Sequence, residues 1–133
     1  MNKVIEQTIR FKGARAKDLF DIFVDPKKHS IIHGGAKSKI SAKEGDTFSL
    51  LDGNLNGRNL RIIPDKMIVQ SWRGNVWLDG DHDSILALVF AESKDGAEIN
   101  MVHAFTPKQF TELWNEVYWQ PIKEFLKREK AGS

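Results

Sequence analysis

The segment from residue 106 to residue 127 constrains the fold most, because it reads as one amphipathic helix long enough to cross a whole small sheet. Phe110, Leu113, Trp114, Val117 and Tyr118 recur at i, i+3, i+4, i+7 and i+8. That spacing gathers side chains on one stripe of a helix with about 3.6 residues per turn. Thr106 predicts an N-cap, Pro107 suits the first helical position, where its missing N–H costs nothing, and Gln109 completes a capping box. At about 1.5 Å per residue the segment is ~30 Å long. A sheet wrapped on this helix is the expected architecture.

Pro121 interrupts the stripe. Inside a helix it removes one hydrogen bond and crowds the carbonyl of Val117, so a kink is expected there. Beyond it Ile122, Phe125 and Leu126 drift round the cylinder, and on a straight helix Trp119 projects nearly opposite Phe110. Either the kink returns these residues to the sheet or Trp119 stays on the surface as a partner contact.

The rest of the chain supplies that sheet. Residues 4–11 alternate polar and apolar with a period of two, broken once at Gln7, which the parity turns toward the core. After Gly13, Leu19, Phe20, Ile22 and Phe23 predict a short helix over residues 16–24, and Asp25-Pro26 caps a second that Gly34-Gly35 ends. Short strands are then predicted around Ile40 and over residues 47–51, 55–63, 66–73, 84–91 and 98–105, joined at Glu44-Gly45, Asp52-Gly53, Pro64-Asp65 and Lys94-Asp95-Gly96. Residues 75–83 read as a loop carrying Trp77. Connections this short require antiparallel pairing. The order β-α-α-β-β-β-β-β-β-α makes an α+β chain with about seven strands, read as a single domain over residues 1–133.

Composition narrows the function classes. The 20 Lys and Arg nearly balance 18 Asp and Glu, and no basic stripe is interleaved with aromatics, so a nucleic-acid groove is disfavoured. Without cysteine there is no disulfide, thiolate metal site or thiol nucleophile. The longest apolar run, residues 85–91, is too short to span a bilayer, and Met1-Asn2-Lys3-Val4-Ile5-Glu6 lacks the apolar core of a signal peptide. A cytoplasmic protein is the expectation.

A family resemblance becomes visible in the middle of the chain. Gly45-Asp46-Thr47-Phe48-Ser49-Leu50, Asp52-Gly53, Gly57, Pro64-Asp65-Lys66, Ile68-Val69-Gln70-Ser71-Trp72-Arg73, Trp77 and the closing Tyr118-Trp119-Gln120-Pro121 resemble the signature of the activator of heat-shock-protein-90 ATPase (Aha) homologue family. The resemblance runs from about residue 8 to residue 127. It implies the START-like, birch-pollen-allergen-like (SRPBCC) helix-grip fold, in which a curved antiparallel sheet grips a long C-terminal helix. It also implies functions of different class: first a binding module for a small apolar ligand held between sheet and helix, second a co-chaperone-like regulator with a chaperone partner, acting through its surface, and third an enzyme of the cyclase or hydrolase kind, for which the residues give no support.

The candidate ligand-binding set is Phe48, Trp72, Phe90, Met101, His103, Trp114 and Tyr118. The five aromatics and Met101 would wall a cavity, though they would equally fill a solid core. His103 shares strand parity with Ile99, Met101 and Phe105, the side facing the helix, where a neutral imidazole needs a hydrogen-bond partner. No metal or cofactor is expected. Asp79-Gly80-Asp81-His82-Asp83 has alternate aspartates, but Ser84 and Phe90 stand where a calcium loop needs glycine and glutamate. His29 and His33 are four apart without the protease glutamate between them, and read as surface or helix-end histidines. Neither a serine–acid–histidine arrangement nor a phosphate loop is visible.

Overall fold

The computed structural model describes residues 3–74, 83–106 and 110–131. Strand β1 (Lys3–Lys12) leads into α1 (Ala16–Val24) and α2 (Pro26–Ile32). Five strands follow: β2 (Thr47–Leu50), β3 (Leu55–Ile63), β4 (Met67–Gly74), β5 (Ser84–Ser93) and β6 (Gly96–Thr106). The C-terminal helix, α3, has three parts: Phe110–Trp114, a π-helical turn Asn115–Trp119, and Gln120–Ala131. The strands form one antiparallel sheet in the order β1-β6-β5-β4-β3-β2, with α3 across its inner face in the helix-grip arrangement. Trp77, residues 79–82 and the capping residues Pro107 and Gln109 lie outside the described residues.

The two short helices begin where backbone donors find acceptors. Asp18 accepts the Arg15 N–H (3.3 Å), and Glu92 of β5 reaches the Ala16 N–H at 2.9 Å, so α1 is capped partly by the sheet. Asp25 accepts the N–H groups of Lys27 and Lys28 ahead of Pro26, and Gly34 and Gly35 close α2 with positive φ, the Gly35 N–H returning to the Ser30 carbonyl. Gly57 has a different role. A Cβ there would collide with the Ser71 carbonyl and the Phe48 ring, so its absence lets Phe48 fold across β3.

Among the described residues the strand count is six, because the stretch around Ile40 makes only an isolated bridge between Lys39 and Ser49. Two bulges also shift side-chain parity. Leu60 is the extra residue where the β3–β4 register slips, and it is exposed although its neighbours alternate correctly. Phe105 adopts φ +62° beside the β1–β6 register shift, which turns Thr106 inward and leaves Phe105 50% exposed, contrary to its sequence parity with His103.

Helix α3 departs from the simple stripe in an informative way. Trp114, Tyr118, Trp119, Ile122 and Phe125 are buried, whereas Leu113 is 41% exposed. On a straight α-helix Trp119 would lie roughly 140° round from Trp114. The π turn, closed by the Gln120 N–H on the Asn115 carbonyl, takes up an extra residue and brings Tyr118 and Trp119 inward together. Because Pro121 has no N–H to offer the Val117 carbonyl, the helix loses little by widening there. The contact with the sheet is therefore restored by a change in helical pitch, and Trp119 is core.

Candidate functional site

The seven sequence-selected residues are all buried in the core on the sheet's inner face, Trp114 and Tyr118 supplied by α3 itself. Their rings pack directly on one another. Trp72 and Trp114 stack at 5.3 Å between centroids, Trp114 and Trp119 at 5.1 Å, and Trp114 and Tyr118 lie 4.8 Å apart. Phe23 of α1 stacks on Tyr118 at 5.3 Å, and Phe48 meets the edge of Trp72 at 6.4 Å. Phe90 packs against Phe20 and Phe23, and Met101 is buried beneath the group.

Each polar atom that α3 carries inward reaches a different element. The Trp114 indole N–H donates to His103 Nδ1 at 3.0 Å. Indole is a donor only, so Nδ1 carries no proton and the neutral ring holds its hydrogen on Nε2. That Nε2–H donates to Ser84 Oγ at 2.8 Å, and Ser84 donates to the Trp72 carbonyl at 3.1 Å. Burial pushes the His103 pKa down to about 3, and the fixed indole donor disfavours a proton on Nδ1 further. Ser84 and His103 are both fully buried, so this chain locks β4, β5, β6 and α3 rather than presenting a hydroxyl to a substrate.

Tyr118 reaches α2. Its hydroxyl lies 3.0 Å from His29 Nε2, and His29 Nδ1 lies 2.8 Å from Ser38 Oγ. His29 is indeed at the end of α2, but it is turned inward and only 1% exposed. Burial, with a smaller contribution from the charge of neighbouring His33, lowers its pKa to about 3, and burial raises that of the Tyr118 phenol well above its ordinary range. The ring of His33 lies 4.5 Å from that of His29, and burial lowers its pKa to about 4. His33 Nε2 is buried without a hydrogen-bond partner among the described residues. With both His29 nitrogens engaged, the pair is not arranged to ligate a metal, and no cluster of three ligating side chains occurs among the described residues.

Trp119 reaches β1, its indole N–H donating to Gln7 Oε1 at 2.8 Å, which explains the polar interruption in that strand's alternation. A fourth chain supports the sheet alone. Trp72 donates to Gln70 (2.7 Å), Gln70 to Asn59 (2.9 Å), and Asn59 to the carbonyls of Ser41 and Lys43 (both 3.0 Å). His29, Gln7, Ser38, Ser84, Gln70 and Asn59 were not in the sequence-selected set. Of these only Gln7 carried a local signal, the broken alternation.

The outer face of the same sheet has another character. Cross-strand registers align Val4, Ala104 and Ile85 in one row, Val102, Ala87 and Val69 in the next, and Val89 with Met67 in a third. Val4 is 61% exposed, Val102 42% and Val89 41%, and a shallow groove of about 310 Å³ runs between Val102, Ala87 and Val89 and the polar border of Glu6, Thr8 and Asn100. Exposed Phe105 stands at the Val4 end of this strip.

Comparison with known proteins gives a consistent relationship. The family model described as Activator of Hsp90 ATPase homolog 1-like protein matches residues 13–128. The chain is similar to the activator of 90 kDa heat shock protein ATPase homolog 1 of Homo sapiens, 28% identical over 93 residues that make 67% of this chain and 27% of the relative. It is also similar to the corresponding homologue of Dictyostelium discoideum, 26% identical over 110 residues covering 83% of this chain and 28% of the relative. The chain thus spans about a quarter of the length of the curated relatives it matches. Among solved structures, an HSP90 activator from Plasmodium falciparum superposes with a TM-score of 0.82 at 20% identity, covering 96% of both chains. CalU16 from Micromonospora echinospora gives a TM-score of 0.60 at 27% identity, covering 80% of this chain and 60% of that one.

Proposed function

The chain belongs to the family of activator of Hsp90 ATPase homolog 1-like proteins, and from that membership we propose that it is a cytosolic co-chaperone-type regulator that docks on an Hsp90-class ATPase through the uncovered face of its sheet. The observation that carries this reading is the apolar strip of Val4, Val102, Ala87 and Val89 on that face. A sheet covered on one side normally alternates apolar and polar residues along each strand, whereas β5 is apolar on both sides from Ile85 to Ala91. Phe105 adds an exposed aromatic in a backbone conformation that costs a residue with a Cβ about 1 kcal/mol or more. Strain kept at an exposed aromatic fits a contact residue. The test is binding to, and stimulation of, a purified Hsp90 ATPase by wild type and by the Val89→Lys/Val102→Lys double variant. Loss of binding by about tenfold or more with an unchanged melting midpoint is expected. Equal binding by the variant overturns the assignment of this face.

A second reading places a small apolar ligand among Phe48, Trp72, Phe90, Met101, His103, Trp114 and Tyr118. Their convergence under α3 supports it, and it requires the Trp72–Trp114 stack and the Trp114–His103 hydrogen bond to open. An apolar dye that raises the melting midpoint in proportion to its concentration, and that Met101→Trp excludes without unfolding the chain, would be the expected result. Unfolding of Met101→Trp by overpacking, with no stabilising compound found, removes this reading.

A further inference from the structure

A second cavity, remote from the aromatic cluster's centre and from the outer face, opens where the far end of β1 passes under the last turns of α3. It has a volume of about 670 Å³, within the range of pockets that hold small organic molecules. Its floor is apolar. Phe11, Ala14, Phe125 and Leu126 line it, and the first three are almost fully buried while Leu126 is partly open. Its rim is cationic: Arg10, Lys12, Lys28, Lys123 and Lys127 against the two carboxylates of Asp18 and Glu129.

Those cations differ in how far they are already engaged. Arg10 lies 3.9 Å from Glu98, Lys28 lies 3.9 Å from Asp21, and Lys123 stands over the Phe11 ring at 6.0 Å. Asp18 is held by the Arg15 N–H at the start of α1. The ammonium groups of Lys12 and Lys127, from β1 and α3, have no hydrogen-bond or ion-pair partner among the described residues. Two elements far apart in sequence thus bring unpaired ammonium groups to the mouth of one apolar-floored cleft. A neutral apolar molecule would leave these charges unanswered, and a small inorganic anion would leave the floor unfilled. An elongated molecule with an apolar tail and a single anionic head answers both.

We propose that this cleft binds a monomeric amphiphilic anion of the long-chain carboxylate class, its chain laid along Phe11, Phe125 and Leu126 and its head between Lys12 and Lys127. The proposal is independent of docking through the outer face, since no residue of the strip lines the cleft.

Decanoate is the probe, titrated into the full chain below its aggregation concentration, with decanol, decyltrimethylammonium and phosphatidylserine vesicles as companions. Saturable one-site binding of decanoate is expected. It should weaken as salt rises, fall about tenfold or more for decanol, and be lost for the cationic amphiphile. Methyl NMR should place the response at Ala14 and Leu126 and leave Met101 unmoved. The Lys12→Glu/Lys127→Glu variant, altered only at exposed positions, should melt as wild type yet bind decanoate about tenfold or more weaker. Leu126→Asp should do the same from the tail's side. Equal affinity for decanol, undiminished binding by the charge-reversed variant, a response at Met101 instead of Ala14, or binding to vesicles without binding to decanoate would each overturn the proposal.

Discussion

The two faces of the sheet use similar residue types to opposite ends. On the inner face, Trp114, Tyr118 and Trp119 each send a polar atom to a separate element, so α3 is tied to β6, α2 and β1 as well as packed against the sheet. On the outer face, Val4, Val89 and Val102 lie open with no element of the described chain across them. Buried polar networks specify one arrangement when fully satisfied, whereas apolar contact is indifferent to direction. The inner face is thus built to hold one arrangement, and the outer face remains available to a partner.

If that contrast holds, the largest effect should come from the centre of the inner face. Trp114→Ala should cost about 3–5 kcal/mol through lost burial and a residual cavity. It also leaves His103 Nδ1 without its donor. Denaturant melts measure this directly, and a loss below about 1 kcal/mol would show that the ring stack does not carry the inner face.

Acid should attack the same face. His29 and His103, held neutral with pKa values of about 3, fall below the ordinary 6.5 that they regain on unfolding. Between those values the unfolded chain binds protons that the native one refuses, so their stabilisation is complete above pH 6.5 and declines as pH falls toward 3. The two together set a slope of up to about 2–3 kcal/mol per pH unit in that window. Urea midpoints at neutral and mildly acid pH should show it. His103→Gln should flatten the slope; an unchanged slope would mean that His103 titrates normally.

A smaller effect is expected at the helical turn that brings Trp119 inward. Pro121→Ala restores an N–H for the Val117 carbonyl and should favour regular α-helix, turning Trp119 away from Gln7. The gain in propensity is opposed by that lost packing, and a net cost of about 1 kcal/mol with altered tryptophan fluorescence is expected. A more stable variant with an unchanged spectrum would show that the π turn does not depend on proline.

The least change in stability belongs to the outer face. Val102→Lys, which places a cation opposite Glu6, should move the melting midpoint little, within about 0.5 kcal/mol, while reducing partner binding. A large loss of stability would mean that the strip supports the fold after all, and the contrast between the faces would fail.

Much of this was legible before the fold was known. The boundaries of α1, the capped start of α2 and the antiparallel connections rest on neighbours a few residues apart, and local periodicity records those. The apolar run of β5 was visible too, but not which of its sides lacked a cover. The seven candidate residues are all buried in the core, since their parity and helical stripe turned them inward. Their partners were hidden: Tyr118 and His29 are 89 positions apart, and Trp119 and Gln7 are 112.

The sequence by itself determined the family, the apolar side of most strands and the order of elements apart from the strand expected around Ile40, because each depends on a repeating pattern over short distances. Tertiary structure alone decided that Phe105 faces solvent, that Leu60 is a bulge, and that a π turn makes Trp119 core. It also set Lys12 and Lys127 on either side of one cleft. Those outcomes depend on how registers slip and how the helix pitch adjusts when sheet and helix are pressed together. Close packing selects among local conformations of nearly equal energy, and no spacing within a single segment encodes that selection.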